Sequence, residues 1–243
     1  MKKIYSHPES LRKVKTHYCP GCGHGLIHKL ICQVIDELGI RDKTIAVAPV
    51  GCAVIAYDYW KLDTAEAAHG RATAVATGLK RTQPEKVVFT YQGDGDLAAI
   101  GTAETIHTAN RGENITVIFV NNAVYGMTGG QMAPTTLLGQ RTATTPLGRN
   151  LSSGEGPPLK LLEMLAQLSQ VSYLERTAIT TVRSIHNVKR AIKNAFSNQL
   201  ENKGFGLVEI LSPCPTYWGK TPLESLRWIE EEIVKVYPLG RIK

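Results

Sequence analysis

The chain has 243 residues, of which 43% are hydrophobic and 20% are charged, a composition that excludes a disordered protein and suffices for the core of one large domain. No apolar run approaches the roughly 18 residues of a membrane span, and the N-terminal segment lacks the apolar centre of a signal peptide. We therefore expect a cytoplasmic chain that has no membrane partner.

The formal net charge is +7, and basic side chains concentrate in two parts of the chain. One is the stretch 183–203; the other is the N-terminal group Lys2, Lys3, Arg12, Lys13 and Lys15. No nucleic-acid-binding motif accompanies either group. The charge fits an acidic protein partner as well as nucleic acid, and it also fits a solvated surface. Because no nucleic-acid-binding motif is present, we expect no nucleic-acid ligand.

Strand-like and helical patterns alternate along the chain. The predicted elements are, in chain order, strand 44–50, helix 65–79, strand 86–92, helix 97–110, strand 114–122, helix 158–168, strand 171–176, helix 184–200, strand 205–211 and helix 222–236. This succession predicts an α/β fold, a mostly parallel sheet with helices on both faces. We expect a single domain over 1–243, with an N-terminal Cys-x-x-Cys segment and a C-terminal helical extension. The long loop at 126–157, rich in Gly, Thr and Pro, is expected to cover a site or contact a partner.

Two short polar motifs, Gly93-Asp94-Gly95 and Asn121-Asn122, end neighbouring predicted strands. Because the carboxyl ends of adjacent parallel strands lie at one edge of a sheet, we expect Asp94 and Asn122 to lie side by side where such sheets bind ligands. Carboxylate and amide oxygens suit Mg²⁺, which usually takes further oxygens from phosphates. The two glycines let the backbone approach an anion beside a helix N-terminus. The alternative is an Asp-Gly turn followed by a capping asparagine.

Four of the five cysteines stand beside proline or glycine in predicted loops. Cys19 and Cys22 form a Cys-x-x-C pair, whereas Cys52 and Cys214 follow strands and should emerge at the same sheet edge as the polar motifs. A reducing compartment disfavours disulfides, so four thiolates fit structural zinc or an iron–sulfur cluster, and the pair alone also fits a redox function. Cys32, within an apolar helical stretch, is typical of a core residue.

The Gly-Asp-Gly and Asn-Asn motifs, continued by AVYGMTGGQ, resemble the diphosphate-binding motif of thiamine diphosphate enzymes. The resemblance implies that Asp94, Asn122 and the carbonyl of Val124 hold Mg²⁺. The segment HGRATAVATG at 69–78 is similar in spacing to the glycine-bearing helix start near the cofactor in that superfamily. With Gly95, Asp96 and Thr128 against the diphosphate, the implied cofactor-binding residues are Gly51, Cys52, His69, Gly70, Arg71, Gly93, Asp94, Gly95, Asp96, Asn122, Val124, Tyr125, Gly126, Met127 and Thr128.

The pattern CPGCG…GC…CP around that motif resembles, over nearly the whole chain, the β subunit of 2-oxoacid:ferredoxin oxidoreductases. The resemblance implies coenzyme A-dependent oxidative decarboxylation of a 2-oxoacid to acyl-CoA and CO2, with electrons passing to ferredoxin. It implies an α subunit that supplies the activating glutamate, with γ and δ subunits as further candidates, so we assign no catalytic residue here and interpret Glu104 as an ordinary helix residue. The implied ligands of a 4Fe–4S cluster are Cys19, Cys22, Cys52 and Cys214.

The identity of the substrate and the roles of several side chains each have more than one interpretation. The apolar stretch AVIAY after Cys52 and the segment TTPLGR, similar to the 2-oxoisovalerate branch, favour a branched-chain 2-oxoacid over 2-oxoglutarate or pyruvate. The rival functions are a non-oxidative thiamine diphosphate-dependent decarboxylase and a zinc-containing nucleic-acid-binding protein. His69 and Arg71 are candidates for contacts to the substrate carboxylate or the cofactor, Arg71 equally for the partner subunit, and His24 for a local hydrogen bond.

Overall fold

A computed structural model describes residues 6–243, so that Lys2 and Lys3 of the N-terminal basic group lie outside the described residues. Seven strands are β1 (Thr44–Ala48), β2 (Asp63–Glu66), β3 (Val87–Gly93), β4 (Thr116–Asn121), β5 (Val171–Ala178), β6 (Phe205–Leu211) and β7 (Gly240–Arg241). They form one sheet in the order β2-β1-β3-β4-β6-β5-β7, in which only β7 is antiparallel to its neighbour. Every residue of β1, β4 and β6 is buried, which is why these segments consist mainly of apolar and β-branched residues.

Helices cover both faces of the sheet. They are α1 (His24–Leu38), α2 (Ala72–Thr82), α3 (Thr102–Asn110), α4 (Leu161–Ala166), α5 (Val182–Leu200), α6 (Pro215–Trp218), α7 (Pro222–Trp228) and α8 (Val234–Val236), with π-helical turns at Asp96–Ile100 and Ile229–Ile233. Helices α1 and α5 share one core cluster with alternate strand residues, and α2 and α4 share another. None of the helices within residues 6–243 combines the length and the apolar character that a membrane span requires. The predicted α/β architecture with helices on both faces is confirmed.

The predicted helix at 65–79 was wrong at its start. Asp63–Glu66 is an edge strand that pairs in parallel with β1, where Ile45 lies opposite Asp63. Gly70 has a φ of +75°, a left-handed conformation that interrupts a helix, and α2 begins only at Ala72. The alanine-rich composition of the segment is compatible with a helix, but strand pairing and the glycine turn decide its first half.

Other boundaries differ less from the predictions. The predicted helix at 158–168 is only Leu161–Ala166, since the residues before it, which follow two consecutive prolines, have no regular secondary structure. The predicted helix at 222–236 consists of α7, a π-helical turn and α8 in succession. The short helix α6 and the two-residue strand β7 were not among the predicted elements.

The register of the central strands brings four loops to one edge of the sheet. β3 lies between β1 and β4, with Gly93 opposite Val120, and β6 lies on the other side of β4. Because these strands are parallel, the loops that follow β1, β3, β4 and β6 all emerge at their carboxyl edge.

Candidate cofactor site

A cleft lies at the carboxyl edge of the sheet, and its walls are the loops after β1, β3 and β4. All the cofactor-binding residues expected from the sequence line it, apart from Gly70 and Arg71. His24, Val50 and Ala53 also line it, although the sequence did not place them there. His24 lies two residues after the cysteine pair in the sequence, which was the only available signal for its position.

Asp94 is a buried carboxylate at the base of the cleft, 2% exposed. Its Oδ1 accepts a hydrogen bond from the Gly95 N–H at 2.9 Å, and its Oδ2 accepts one from the Thr135 hydroxyl at 2.6 Å. Burial raises the pKa of Asp94 to about 7, while these hydrogen bonds act in the opposite direction. Within residues 6–243 no Lys, Arg or His forms an ion pair with this carboxylate. A bound cation would supply the missing positive charge.

The two asparagines after β4 have different positions. Asn121 points into the protein, where its Nδ2 donates to Glu209 Oε1 at 2.7 Å and its Oδ1 accepts from the Ala123 N–H. Asn122 lines the cleft, and its Oδ1 accepts from the Val124 N–H at 3.3 Å. The chain turns directly after Asn122, where Ala123 has a φ of +57°. Asp94, Asn122 and Val124 thus share one cleft, where their carboxylate, amide and carbonyl oxygens would suit Mg²⁺.

Asp96 connects the segment that contains His69 to the sheet. Its Oδ1 accepts from the Gly70 N–H at 2.6 Å and lies 2.5 Å from His69 Nδ1, while its Oδ2 accepts from Gln92 Nε2 at 2.7 Å. These contacts satisfy the carboxylate with protein donors and hold the His69 ring at the cleft. Arg71 lies outside the cleft lining, and its guanidinium is 2.8 Å from the Glu104 carboxylate.

Close packing explains two of the glycines. A Cβ atom on Gly95 would lie 2.2 Å from the Tyr125 ring, so only glycine lets that ring lie against the turn. A Cβ atom on Gly70 would lie 2.7 Å from the Gly101 nitrogen. The Thr128 hydroxyl, expected at the diphosphate, donates to Gln131 Oε1 at 2.6 Å at the mouth of the cleft.

The four loop cysteines come together beside the cleft. A Cβ atom on Gly126 would be 3.3 Å from Cys52 Sγ and 3.8 Å from Cys214 Sγ, so both sulfurs face the same glycine. Burial raises the pKa of Cys22 to about 11, repulsion from Cys52 and Cys19 adds to the rise, and backbone hydrogen bonds from His24 and Gly23 oppose it. Cys32 is fully buried in α1, as expected of a core residue.

The spacing of these side chains bears on which metal group they fit. Within residues 6–243, no three His, Cys, Asp or Glu side chains approach closely enough to hold a single metal ion. Zinc requires such a compact tetrahedral site. An iron–sulfur cluster is larger than one ion and takes its thiolates from farther apart. Burial raises the pKa of Cys52 to about 11 and that of Cys214 to about 12, so these thiols remain protonated unless a positively charged group binds them.

Comparison with known proteins gives the family. Residues 49–210 match the family described as thiamine pyrophosphate enzyme, C-terminal TPP binding domain. The 2-oxoglutarate synthase subunit KorB of Methanocaldococcus jannaschii is 34% identical over 224 residues, which are 89% of this chain and 78% of KorB. A solved 2-oxoglutarate:ferredoxin oxidoreductase from Magnetococcus marinus, with 2-oxoglutarate, coenzyme A and succinyl-CoA bound, superposes with a TM-score of 0.76 and 29% identity, over 88% of this chain and 70% of that one. The chain belongs to the 2-oxoacid:ferredoxin oxidoreductase family.

A further member of this family matches the entire chain. The ketoisovalerate oxidoreductase subunit VorA of Methanothermobacter marburgensis is 48% identical over 252 residues, which are 100% of this chain and 52% of VorA. The chain therefore spans about half the length of this curated relative. The family and the thiamine diphosphate-binding fold predicted from the Gly-Asp-Gly, Asn-Asn and cysteine motifs are confirmed.

Proposed function

We propose that this chain is the thiamine diphosphate- and iron–sulfur-binding β subunit of a 2-oxoacid:ferredoxin oxidoreductase. The reaction is the coenzyme A-dependent oxidative decarboxylation of a 2-oxoacid to acyl-CoA and CO2, with electrons passed to ferredoxin. The proposal rests on the observation that a candidate metal ligand and a group of cysteines lie at the same edge of the sheet. The unpaired buried carboxylate of Asp94 lines the same cleft as Cys52, and Cys52 faces Gly126 together with Cys214.

Asp94, Asn122 and the Val124 carbonyl would hold Mg²⁺ and, through it, the diphosphate. Thiamine diphosphate supplies an electron sink for decarboxylation when it is bound. The first amide groups of the helical turn Asp96–Ile100 lie at the positive end of that turn, which suits an anion. Asp96 holds His69 at the cleft, where its imidazole can contact the cofactor or the substrate carboxylate.

Cys19, Cys22, Cys52 and Cys214 would hold a 4Fe–4S cluster beside the cleft. A non-oxidative thiamine decarboxylase has no need of four thiols gathered beside its cofactor, so this arrangement favours the oxidative reaction. Cys19 is exposed whereas the other three are partly buried, which orients one side of the cysteine group toward solvent. Electron transfer to a soluble acceptor such as ferredoxin requires such an exposed side.

A partner subunit would complete the site. The cleft encloses only about 90 Å³, whereas cofactor pockets typically hold about 300 to 1,000 Å³. Among its described lining residues there is no glutamate, so the carboxylate expected to activate the cofactor would come from an α subunit. Val50 and Met127 line the cleft and are exposed apolar side chains that such a subunit could cover.

The substrate we propose is a branched-chain acid such as 2-oxoisovalerate. Among the described residues of the cleft there is no Lys or Arg to pair with a second carboxylate, whereas Val50 and Ala53 are apolar. The name of the 48% identical relative, ketoisovalerate oxidoreductase, points the same way. 2-Oxoglutarate and pyruvate are the alternatives, since relatives at 34% identity carry the name 2-oxoglutarate synthase.

The test is to purify the chain with its natural partner subunits and to measure iron, bound thiamine diphosphate and activity. The assay would supply 2-oxoisovalerate, 2-oxoglutarate or pyruvate with coenzyme A, and ferredoxin or viologen as acceptor. We expect a brown protein that is most active with 2-oxoisovalerate. Cys22→Ser should lose iron whereas the matched control Cys32→Ser, in the core of α1, should keep it. A colourless, iron-free enzyme would refute the cluster, and activity with 2-oxoglutarate alone would refute the substrate.

A further inference from the structure

Two adjacent threonines in the long loop reach the two sides of the proposed metal site. The Thr135 hydroxyl donates to Asp94 Oδ2 at 2.6 Å. The Thr136 hydroxyl donates to the Ala123 carbonyl at 2.7 Å. Both threonines are buried, at 1% and 0% exposure. If either hydroxyl is removed, water cannot replace the hydrogen bond that its acceptor loses.

Ala123 is the residue that sets the relative position of Asn122 and Val124. Its φ of +57° is a left-handed conformation that residues with a side chain rarely adopt. Its carbonyl accepts hydrogen bonds from both the Thr136 hydroxyl and Gln140 Nε2, the second at 3.1 Å. These two bonds hold the turn between Asn122 and Val124, both of which line the cleft.

The threonine pair is itself held rigidly from two directions. Arg149, 5% exposed, donates to the carbonyls of six residues: Ala133, Pro134, Thr136, Glu155, Gly156 and Pro157. The Tyr237 hydroxyl, from the chain after α8, donates to the Thr135 carbonyl at 2.9 Å. A buried guanidinium satisfied by carbonyls keeps the loop in one conformation, since each freed carbonyl would be left without a donor.

We propose that Thr135 and Thr136 are positioning residues for the Mg²⁺–diphosphate site, Thr135 acting on Asp94 and Thr136 acting on the turn at Ala123. The inference rests on the proposed function, because it requires that Asp94, Asn122 and Val124 bind the metal. Hydrogen bonds from residues behind a metal ligand fix its orientation, and their removal typically lowers metal affinity about 10- to 100-fold. The long loop thus has a definite task, which is to hold two separate segments of the sheet edge at the distance the metal requires.

The test measures Mg²⁺ binding to the assembled enzyme at saturating thiamine diphosphate, followed by tryptophan fluorescence. Trp218 is a built-in probe, since its Nε1 donates to the Asn122 carbonyl at 3.0 Å. Thr135→Val replaces the hydroxyl by a methyl group of similar size and should weaken Mg²⁺ binding about 10- to 100-fold. Thr135→Ser keeps the hydroxyl and should bind Mg²⁺ within about threefold of the wild type.

A matched control comes from the same loop. Thr142 is buried and its hydroxyl pairs with that of Thr145 at 2.7 Å, so that it bonds to neither Asp94 nor the Ala123 carbonyl. Thr142→Val should therefore leave Mg²⁺ affinity unchanged. Should Thr135→Val fail to fold, Thr136→Val and Thr136→Ser provide the same comparison through Ala123.

The outcomes separate this inference from the proposed function. Wild-type affinity in Thr135→Val, or equal losses in Thr135→Ser or Thr142→Val, would overturn the positioning role while leaving the cofactor site intact. If the wild-type enzyme binds neither Mg²⁺ nor thiamine diphosphate, the proposed function is wrong and this inference falls with it. Weak binding in both valine variants with recovery in both serine variants would support it.

Discussion

Replacing Asp94 by asparagine tests the interpretation of the cleft most directly. The carboxylate is buried and its pKa is raised from 3.8 to about 7, a shift of roughly three units. At about 1.4 kcal/mol for each unit, the free energy of unfolding of the metal-free protein should decrease by about 4 kcal/mol as this one group ionises. Because the folded-state pKa is the higher one, this contribution is fully present below about pH 4 and is lost as the pH rises through 7. Asparagine has the same shape and does not titrate.

The assay is urea-induced unfolding at pH 5 and at pH 8. It compares the wild type with Asp94→Asn, both without Mg²⁺ and thiamine diphosphate. The variant should gain stability relative to the wild type between these two values, by an amount of the order of 2 to 4 kcal/mol. Mg²⁺ with thiamine diphosphate at about 100 times the dissociation constant should then stabilise the wild type by about 2.7 kcal/mol and leave the variant unchanged. Iron content should be the same in both proteins, because the cysteines belong to other loops.

Two results would refute this reasoning. A stability difference that is the same at pH 5 and pH 8 would mean that the Asp94 carboxylate is not held in an unfavourable, buried environment. Mg²⁺-dependent cofactor binding by Asp94→Asn with wild-type affinity would mean that Asp94 is not a metal ligand.

Three further substitutions test the surroundings of the site. Gly95→Ala places a Cβ atom 2.2 Å from the Tyr125 ring and should displace that ring. A titration should then show that thiamine diphosphate binds at least about tenfold more weakly. Unchanged affinity would contradict the close packing. Asp96→Ala leaves three donors without their acceptor and should lower the free energy of unfolding by about 1 to 3 kcal/mol in urea; a neutral effect would contradict its linking role. Arg176→Met leaves the buried Glu209 carboxylate without its positively charged partner and should lower the free energy of unfolding by about 3 to 5 kcal/mol in urea. A decrease below about 1 kcal/mol would show that Glu209 becomes neutral.

Local sequence patterns were sufficient for the central strands and the longer helices. A strand buried on both faces is rich in apolar and β-branched residues, and this pattern predicted strands at 86–92, 114–122 and 205–211, close to the observed 87–93, 116–121 and 205–211. The pattern fails at the edge strand 63–66, whose residues are partly exposed and whose extended state depends on pairing with β1. A contact of that kind with a distant segment leaves no local periodicity.

The same distinction holds for the candidate site. The order of strands and the motifs after them were enough to place Asp94 and Asn122 at one edge, since parallel strands end together. The sequence did not indicate that Asp96 turns its carboxylate to the loop at His69, because the two residues are 27 positions apart and meet only when that loop packs on the sheet. The supporting hydroxyl of Thr135 is 41 positions from Asp94 and belongs to a loop without secondary structure.

By itself, the sequence determined the α/β class, the sheet edge that carries the site and the residue types that suit a metal and a diphosphate, because these depend on strand periodicity and on motifs a few residues long. Only the tertiary structure decided which polar groups face the cleft and which are used to hold it. It turned Asn121 toward Glu209 whereas Asn122 lines the cleft, and it surrounded the Asp96 carboxylate with protein donors that hold the loop at His69. Their hydrogen-bond partners come from distant segments, and only the folded chain brings those segments together.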